Sequence, residues 1–430
     1  MNMNMNKPIF GCHGCGKTVD MASDLPFGCP NAGRKNDDTD HVLVPVHENN
    51  EFVTGPETDP FLRYRTLLST YRMARSIGLP DDAWAEIVGT LDYRLIAVDG
   101  RGFRVTPMSR QPALANALGM NGSLWVKDET GNVAGSHKAR HLMGVMLYLR
   151  ILEVDKLPIA EGLRTRRLAI ASCGNAAMAA AVVARAANWP LDVFIPPDAN
   201  LSVVKRLKEL DAGINVCNRR PGEVGDPCIH EFRRAVRAGA IPFGVQGPEN
   251  GLAIEGGRTL AFEMAEEFRS AGNTPADLFV QVGGGALASA LWHGLAIAAA
   301  SGTLPHLPRL MTVQTAGCAP LARSWQLLSG VELGDAVRHR SRFMWPWEST
   351  PSSVAHGILD DETYDWWEIA KGMRATGGSP LVVEEDALMR ANVLAQTHTK
   401  INASATGTSG LAGLITATPR HESTAVVFTG

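Results

Sequence analysis

Three short runs of residues in this chain have the types and spacing to do chemistry, and the first contains a lysine. Lys138 lies in the run Gly-Ser-His-Lys-Ala-Arg over residues 135–140, after a turn and before an apolar helical pattern. A lysine held there as a neutral amine forms a Schiff base with a carbonyl compound. An exposed surface lysine is the alternative. A cation at a helix start opposes the helix dipole, however, so helix stability does not explain Lys138.

The second run is rich in glycine. Residues 280–287 read Val-Gln-Val-Gly-Gly-Gly-Ala-Leu, an apolar strand pattern followed by three glycines and a helical pattern. Glycines allow backbone N–H groups to converge on an anion, and the helix that follows adds the positive end of its dipole. The run therefore predicts a phosphate site, with a simple tight turn as the alternative. It lacks the spacing of the dinucleotide and nucleoside triphosphate motifs, which disfavours those ligands.

The third run repeats this logic around an asparagine. Residues 168–177 read Leu-Ala-Ile-Ala-Ser-Cys-Gly-Asn-Ala-Ala, which predicts a strand, a polar turn and an alanine-rich helix. Ser172, Asn175 and the N–H groups at the helix start are suited to bind a carboxylate. Helix capping by Ser172 or Asn175 is the structural alternative. Cys173 invites a thiol nucleophile, but no His-Asp pair is indicated nearby, so a structural role is favoured.

The elements that must position these runs alternate along the chain. From residue 60 onward, short apolar runs bounded by turn residues alternate with Ala- and Leu-rich helical patterns. This order predicts an α/β protein of two domains, with mostly parallel, twisted sheets flanked by helices. Residues 1–50 are different, being rich in Gly, Cys, Asn and Asp. We interpret them as a small appended module, followed by a catalytic region over residues 51–430.

Composition excludes several classes of protein. The 430 residues are 45% hydrophobic and 20% charged with a net charge of -3, which gives no case for nucleic acid or an anionic membrane as a partner. Seven scattered cysteines argue against a disulfide framework. No stretch has the roughly 18 uninterrupted apolar residues of a membrane-spanning helix. Residues 1–6 alternate Met and Asn without the apolar region of a secretory signal, so we expect a soluble, cytoplasmic protein.

Taken in order, these runs resemble the motifs of the fold-type II pyridoxal-phosphate (PLP) enzymes, in the branch of the threonine synthases and serine/threonine dehydratases. Residues 135–140 are similar to the threonine synthase pattern Gly-Ser-Phe-Lys-Asp-Arg, with His137 and Ala139 as departures. A histidine before the lysine is found in the tryptophan synthase β subunit. Residues 172–177 resemble Ser-Ser-Gly-Asn-Ala-Ala, with Cys173 in place of a serine. The segments 127–130, 255–263 and 405–412 are also family-like.

The resemblance implies a role for each residue. Lys138 is the Schiff-base lysine and the catalytic base. The residues expected to contact PLP are His137, Asn175, Gly283, Gly284, Gly285, Ala286, Leu287 and Thr406, with Ser404 and Thr408 as alternatives to Thr406 at the pyridine nitrogen. The residues expected to contact the substrate are Ser172, Cys173, Gly174, Ala176 and Arg140. A smaller subdomain over roughly residues 136–245, a homodimer and a small amino-acid substrate are also implied.

The N-terminal module resembles the zinc-ribbon-like start of many threonine synthases. Cys12, Cys15 and Cys29 supply three thiols, but the fourth cysteine of that pattern is absent. A structural zinc site usually has four ligands, and His13, His41 or His47 would be needed to complete it. A module held by packing alone is the alternative. A redox role for the Cys-x-x-Cys pair is weaker, because the βαβ context of such motifs is missing.

Three functions follow from the resemblance and stay open. The favoured one is a lyase that removes the α proton of a small amino acid and then eliminates the β substituent, as ammonia-lyases and dehydratases do. The altered residues His137 and Ala139 weaken the second, a threonine synthase acting on O-phosphohomoserine. The third is a non-catalytic binding protein that retains the fold. The segment 346–364, which contains the acidic run Asp-Asp-Glu at 360–362, is expected to shape the substrate side.

Overall fold

The computed structural model describes residues 8–46, 51–417 and 422–430. Strands in this part of the chain are β1 (Ile9–Cys12), β2 (Thr18–Asp20), β3 (Leu43–Val46), β4 (Met108–Arg110), β5 (Leu124–Asp128), β6 (Leu168–Ala171), β7 (Leu191–Ile195), β8 (Gly213–Val216), β9 (Ile241–Pro242), β10 (Asp277–Gln281), β11 (Arg309–Thr315), β12 (Pro380–Val383) and β13 (Thr424–Phe428).

The α-helices of the described residues are α1 (Pro60–Arg63), α2 (Ser69–Ser76), α3 (Asp81–Asp99), α4 (Pro112–Ala117), α5 (Lys138–Val154), α6 (Asn175–Ala186), α7 (Leu201–Glu209), α8 (Pro227–Arg237), α9 (Ala253–Ser270), α10 (Ala286–Ala300), α11 (Pro320–Leu327), α12 (Leu333–Ala336), α13 (Trp366–Thr376), α14 (Glu385–Thr399) and α15 (Ser409–Thr416). Short 3-10 turns lie between some of them.

The chain divides into two compact units, and each is built from two separate segments. Unit 1 comprises Met1–Arg104 and Lys138–Thr259, and unit 2 comprises Val105–His137 and Leu260–Gly430. The chain therefore passes from one unit to the other at the peptide bond between His137 and Lys138. The boundary predicted at residue 50 and the subdomain predicted over 136–245 stay predictions.

Unit 1 contains a parallel sheet and a small antiparallel one. The parallel sheet has the strand order β8-β7-β6-β9, and the antiparallel sheet has the order β2-β1-β3. Helix α5 packs against α6 and is apolar on nearly all sides, with thirteen buried residues. Such a helix forms the interior of a domain rather than its surface. Its first residue, Lys138, is thereby fixed by a buried element.

Unit 2 is built on a six-stranded sheet with the order β12-β11-β10-β13-β5-β4. Neighbouring strands are parallel except for the pair β4 and β5. Phe279, Val313, Val426 and Phe428 belong to a cluster of buried apolar side chains on this sheet. Both units thus have the parallel sheets and flanking helices that the sequence predicts, and the predicted α/β class is confirmed.

Candidate active site

Hydrogen bonds hold the loop that leads from β5 to Lys138. The backbone N–H of Glu129 donates to the carbonyl oxygen of Phe428 at 2.8 Å, which ties the start of the loop to β13. The side-chain amide of Asn132 donates to Glu129 Oε2 at 2.9 Å. Ala134 and Gly135 then adopt left-handed backbone angles, with φ of +54° and +73°. Since a left-handed alanine is strained, the contacts around it must hold the loop in this shape.

His137 anchors the last residue before the lysine. Its side chain is buried, and its backbone N–H and ring Nδ1 lie 3.3 and 3.1 Å from the hydroxyl oxygen of Thr429. One hydroxyl at the end of β13 therefore fixes both the backbone and the ring of His137. Contact of His137 with a cofactor stays a prediction, and so does the Schiff-base role of Lys138.

Two basic residues follow Lys138 inside α5, and both are fully buried. Arg140 donates to the hydroxyl of Thr259 at 3.1 Å, within its own unit. This contact favours a structural role for Arg140, and its predicted contact with substrate is untested. His141 lies 2.9 Å through Nδ1 from the carbonyl oxygen of Ala253. Burial, followed by the charges of Lys138 and Arg140, lowers the pKa of His141 to about 3. His141 is therefore neutral at physiological pH.

The asparagine turn, residues 172–175, joins β6 to α6 in unit 1. The residue that precedes the helix is Gly174, which has no side chain with which to cap it. The backbone N–H of Gly174 donates to Ser172 Oγ at 3.4 Å, and Cys173 is exposed. Ser172 Oγ therefore accepts a hydrogen bond from within the turn instead of capping the start of α6. The start of α6 is suited to a carboxylate ligand.

The glycine turn, residues 283–285, joins β10 to α10 in unit 2. Gly285 has φ of +102°, a conformation that side-chain-bearing residues rarely adopt. The N–H of Gly284 donates to Asp360 Oδ2 at 2.8 Å. The hydroxyl of Thr363 donates to the carbonyl oxygen of Gly283 at 3.0 Å. The turn therefore already holds an oxyanion, in the form of a carboxylate of the same chain.

The segment before α15 supplies three hydroxyl groups. Thr406 Oγ1 accepts the N–H of Gly357 at 2.9 Å. Ser404 Oγ accepts the N–H of Gly407 at 3.1 Å. Thr408 Oγ1 donates to the carbonyl oxygen of Ser404 at 3.1 Å and accepts from Asn392 Nδ2 of α14 at 3.3 Å. Thr406 and Thr408 are therefore each bonded to another segment of unit 2.

Comparison with known proteins identifies the family. The family of pyridoxal-phosphate dependent enzymes matches residues 101–430. A threonine synthase from Synechocystis is 26% identical over 313 residues, which cover 71% of this chain and 72% of the relative. A serine dehydratase-like protein from Mus musculus is 30% identical over 193 residues, 45% of this chain and 52% of the relative. The chain belongs to the pyridoxal-phosphate dependent enzymes.

A solved structure agrees with this assignment at the level of the fold. The crystal structure of diaminopropionate ammonia lyase from Escherichia coli superposes with a TM-score of 0.59 at 18% identity, covering 89% of this chain and 92% of that protein. The predicted fold of a fold-type II PLP-dependent enzyme is therefore confirmed.

The residues of unit 2 fit the cofactor that the family uses. The glycine turn binds an oxyanion, as the phosphate of PLP requires, and its glycines leave no room for side chains: a Cβ at Gly283 would lie 2.4 Å from Asp360 Oδ2. Contact of Thr406 with the ring nitrogen stays a prediction. Sequence analysis did not foresee that Asp360 bonds to this turn. The acidic run at 360–362 was a visible signal, but it was interpreted as lining the substrate side.

The N-terminal cysteines of the PLP-dependent enzyme form a cluster with one histidine. Ligand atoms of Cys12, Cys15, Cys29 and His41 all lie within 4.8 Å of one another. The two sulfur atoms of Cys15 and Cys29 are 3.7 Å apart, and Cys12 Sγ lies 3.3 Å from His41 Nδ1. Thiolates at the usual Zn–S distance of about 2.3 Å in a tetrahedron are separated by about 3.8 Å. The cluster therefore has the dimensions of a zinc site.

The structure also distinguishes among the three histidines. His41 lies beside Cys12, and its other ring nitrogen, Nε2, is 2.8 Å from Asp37 Oδ2. A carboxylate on the second nitrogen is the usual support of a metal-bound histidine. His13 lies instead 3.2 Å from the carboxylate of Asp40, and His47 is outside the described residues. His41 is therefore the fourth candidate ligand.

Among the described residues, no helix combines the length and the apolar character needed to cross a membrane.

Proposed function

We propose that this PLP-dependent enzyme is a lyase that eliminates the β substituent of a small amino acid through Lys138. Two findings support this proposal. The run with Lys138, the asparagine turn, the glycine turn and the segment with Thr406 occur in the order that the resemblance implies. The family match covers residues 101–430. The observation that carries it is the neutral hydroxyl of Thr406, which accepts the N–H of Gly357. PLP, when bound, withdraws electrons from the substrate Cα.

Lys138 has two tasks in this proposal. Its amine would hold the cofactor, and the same amine, when free, would accept the proton from the substrate Cα. The electron pair left at Cα then forms the double bond to Cβ, and the β substituent departs with its own bonding pair. The bonds from His137 to Thr429 fix the chain immediately before the lysine, so the amine acts from a defined position.

Thr406 favours elimination over transamination. A hydroxyl shares its proton with the ring nitrogen less readily than a carboxylic acid transfers one, so the ring stays less positive and protonation elsewhere on the cofactor is less favoured. The N–H of Gly357 occupies one acceptor position of Thr406 Oγ1 and restricts the direction of its own O–H. Ser404 and Thr408 are also hydroxyl residues, so the reasoning holds whichever of the three contacts the nitrogen.

The asparagine turn is proposed to bind the substrate carboxylate. Backbone N–H groups at the start of α6 attract an anion, and residues 172–176 surround that helix start.

A threonine synthase is the second candidate. The observation in its favour is the Synechocystis threonine synthase, which matches 72% of its own length. A threonine synthase must bind the phosphate of its substrate as well as that of the cofactor. Arg140, the family-like arginine of the lysine run, is fully buried and bonded to Thr259, so it does not supply this phosphate site in the described arrangement. The burial of Arg140 therefore favours β-elimination over the threonine synthase reaction.

The test is a visible absorption spectrum recorded while L-serine, L-threonine and O-phospho-L-homoserine are added separately to the holoenzyme. A Schiff-base band that shifts with serine or threonine, with release of a 2-oxo acid, supports the dehydratase-like lyase. A shift with O-phospho-L-homoserine and release of phosphate would replace it by the threonine synthase. A band that none of the three disturbs points to another substituted amino acid.

Lys138→Ala is the matched control. We expect loss of the Schiff-base band and of turnover, with cofactor retained non-covalently. Full activity of this variant would overturn the proposed mechanism. A wild-type protein that takes up no PLP would support the non-catalytic binding protein instead. A homodimer and a cytoplasmic location, which the resemblance and the composition imply, stay predictions.

We also propose that the N-terminal cluster binds zinc through Cys12, Cys15, Cys29 and His41. The backbone N–H of Asn31 donates to the sulfur of Cys29, and the side-chain N–H of Asn31 donates to the sulfur of Cys15, each at 3.4 Å. Hydrogen bonds of this kind stabilise thiolates that bind a metal. The proposed role is structural, because four protein ligands close the coordination sphere and leave no place for a substrate.

Zinc content per chain, measured by elemental analysis, tests this proposal. We expect about one zinc per wild-type chain and a clear loss in His41→Ala. His13→Ala is the control, since His13 contacts Asp40 and lies outside the cluster, and it should retain the metal. A wild-type protein that neither contains nor takes up zinc would contradict the proposal.

A further inference from the structure

A distant segment of unit 2 returns to the glycine turn. Asp360 lies 76 residues beyond Gly284, yet its carboxylate accepts the Gly284 N–H at 2.8 Å. The carbonyl oxygen of Gly284 in turn accepts the N–H of Asp365 at 3.1 Å. Residues 360–365 therefore bond to both polar groups of the middle glycine. This segment is called the acidic strap below.

The acidic strap and the residues just before it touch both functional ends of the proposed cofactor site. At one end, the Asp360 carboxylate lies on the N–H of Gly284. At the other end, the N–H of Gly357 bonds to the hydroxyl of Thr406 at 2.9 Å. The groups proposed for the phosphate and for the ring nitrogen are thus linked through one stretch of nine residues.

The position of the Asp360 carboxylate is held by its own backbone. The thiol of Cys318 lies 3.2 Å from the carbonyl oxygen of Asp360, and the hydroxyl of Thr363 donates to Gly283 O at 3.0 Å. Thr363 is fully buried. The bonds at the Asp360 carbonyl and at Thr363 fix the backbone from which the Asp360 side chain begins, so the surrounding contacts hold the carboxylate against the turn.

The surroundings of the glycine turn also carry negative charge. Cys318 is buried, and burial together with the charges of Asp360 and Asp361 raises the pKa of its thiol to about 12. A carboxylate bonded to a turn that is proposed to hold a phosphate is a feature that phosphate binding alone does not explain.

We propose that Asp360 is an internal competitor for the cofactor phosphate, and that it must leave the N–H of Gly284 before the phosphate binds there. This inference rests on the proposed function, because it assumes that the glycine turn holds the phosphate. The competition has two causes. One N–H cannot point at two oxyanions at full strength, and a carboxylate repels a phosphate that carries nearly two negative charges.

As a consequence, the affinity for the cofactor depends on the carboxylate of Asp360. The Asp360 carboxylate satisfies the Gly284 N–H, which is the group that the phosphate would need. With PLP, the same carboxylate has to give up that bond and remain near a phosphate, or turn away from it. Removal of its charge should therefore strengthen binding of the phosphorylated cofactor and leave binding of a phosphate-free analogue unchanged.

The experiment measures binding of two probes to cofactor-depleted protein. PLP and pyridoxal, which lacks the phosphate, are titrated separately, and the Schiff-base absorbance and the tryptophan fluorescence are recorded. The proteins are the wild type, Asp360→Asn and Asp361→Asn. Asparagine at 360 has nearly the same shape and can still accept the Gly284 N–H, so the variant is expected to fold. Asp361→Asn removes the same charge one residue away.

We expect Asp360→Asn to bind PLP about tenfold more tightly than the wild type, the size expected for one partly screened charge a few ångströms from a phosphate. Pyridoxal should bind both proteins equally, and Asp361→Asn should change PLP binding less. Equal or weaker PLP binding by Asp360→Asn, with a normal Schiff-base band, would overturn this inference alone. Absence of the band from every protein at saturating PLP would overturn the proposed function as well.

Discussion

The glycine turn and the asparagine turn are built on the same local plan and differ in what surrounds them. Each follows a buried strand of a parallel sheet and opens a helix, so each presents backbone N–H groups and a positive helix end to an anion. The glycine turn is enclosed: Asp360, Thr363 and Asp365 bond to it. The asparagine turn carries the exposed Cys173 and a half-buried Gly174.

The difference is visible in the space beside each glycine. A Cβ at Gly283 would lie 2.8 Å from the Cα of Ile358, and one at Gly285 would lie 2.7 Å from Ile369. A Cβ at Gly174 would have no heavy atom within 4 Å among the described residues. The strand-turn-helix pattern suits an anion in both places, and contacts from distant residues distinguish the two turns. The proposed cofactor suits the enclosed turn, and the proposed substrate suits the open one.

The largest expected effect is that of Gly285→Ala. The φ of +102° at this position disfavours any L side chain, and the added methyl would collide with Ile369. We expect a loss of about 3 kcal/mol in the free energy of unfolding, from the backbone strain and the clash together. Urea denaturation followed by fluorescence measures it. A loss below about 1 kcal/mol would show that the glycine turn is less rigidly enclosed than its contacts indicate.

The second-largest expected effect is on thiol reactivity, which should differ between the enclosed turn and the open turn. Cys318, beside Asp360, is fully buried, and burial with the charges of Asp360 and Asp361 raises its pKa to about 12. At pH 8 only about one molecule in ten thousand carries its thiolate, the reactive form. Cys173 in the asparagine turn is exposed. We expect iodoacetamide to modify Cys173 at least about a hundredfold faster than Cys318, as measured by peptide mass spectrometry.

Denatured protein is the control for this measurement, because both cysteines should then react at similar rates. Equal rates in the native protein would mean that the acidic strap opens often enough to expose Cys318. That result would remove the distinction between an enclosed turn and an open one.

Sequence alone predicted the local part of this contrast. Residues 168–177 and 280–287 each show a strand pattern, a glycine-containing turn and a helix pattern, and the structure has β6 with α6 and β10 with α10 at these places. A stretch of about ten residues is enough to show such a pattern, because apolar periodicity and glycine reflect local backbone geometry. The fold class and the family follow from the same kind of signal.

The contacts that distinguish the two turns could not be predicted in this way. Asp360 is 76 residues from Gly284, and His41 is 29 residues from Cys12. Pairings at these distances depend on how the chain crosses between strands, which spacing does not encode. Spacing alone therefore leaves three histidines as possible zinc ligands and predicts the acidic run on the substrate side. The structure was needed to single out His41 and to bring Asp360 to the glycine turn.

Thr363→Val tests one contact of the enclosed turn. Valine has nearly the shape of threonine but lacks the hydroxyl that donates to Gly283 O at 3.0 Å and accepts Gln314 Nε2 at 3.4 Å. Because Thr363 is fully buried, the two partners lose a bond that water does not readily replace. We expect a loss of about 1–2 kcal/mol in the free energy of unfolding. Thr363→Ser keeps the hydroxyl and should lose less, and a Val variant as stable as the wild type would contradict the role of this contact.

Gly174→Ala should have the smallest effect on stability and is the matched partner of Gly285→Ala. Its φ of -131° is negative, which L residues tolerate, and its Cβ would meet no heavy atom within 4 Å among the described residues. We expect a change within about 0.5 kcal/mol in the free energy of unfolding. If the turn binds the substrate carboxylate through its backbone, the methyl group should raise KM while the affinity for PLP stays unchanged. The same substitution at two glycines then separates the turns: the change at Gly285 acts on folding, and the change at Gly174 acts on substrate binding. A large loss of stability at Gly174 would mean that both turns are enclosed, and the contrast between them would fail.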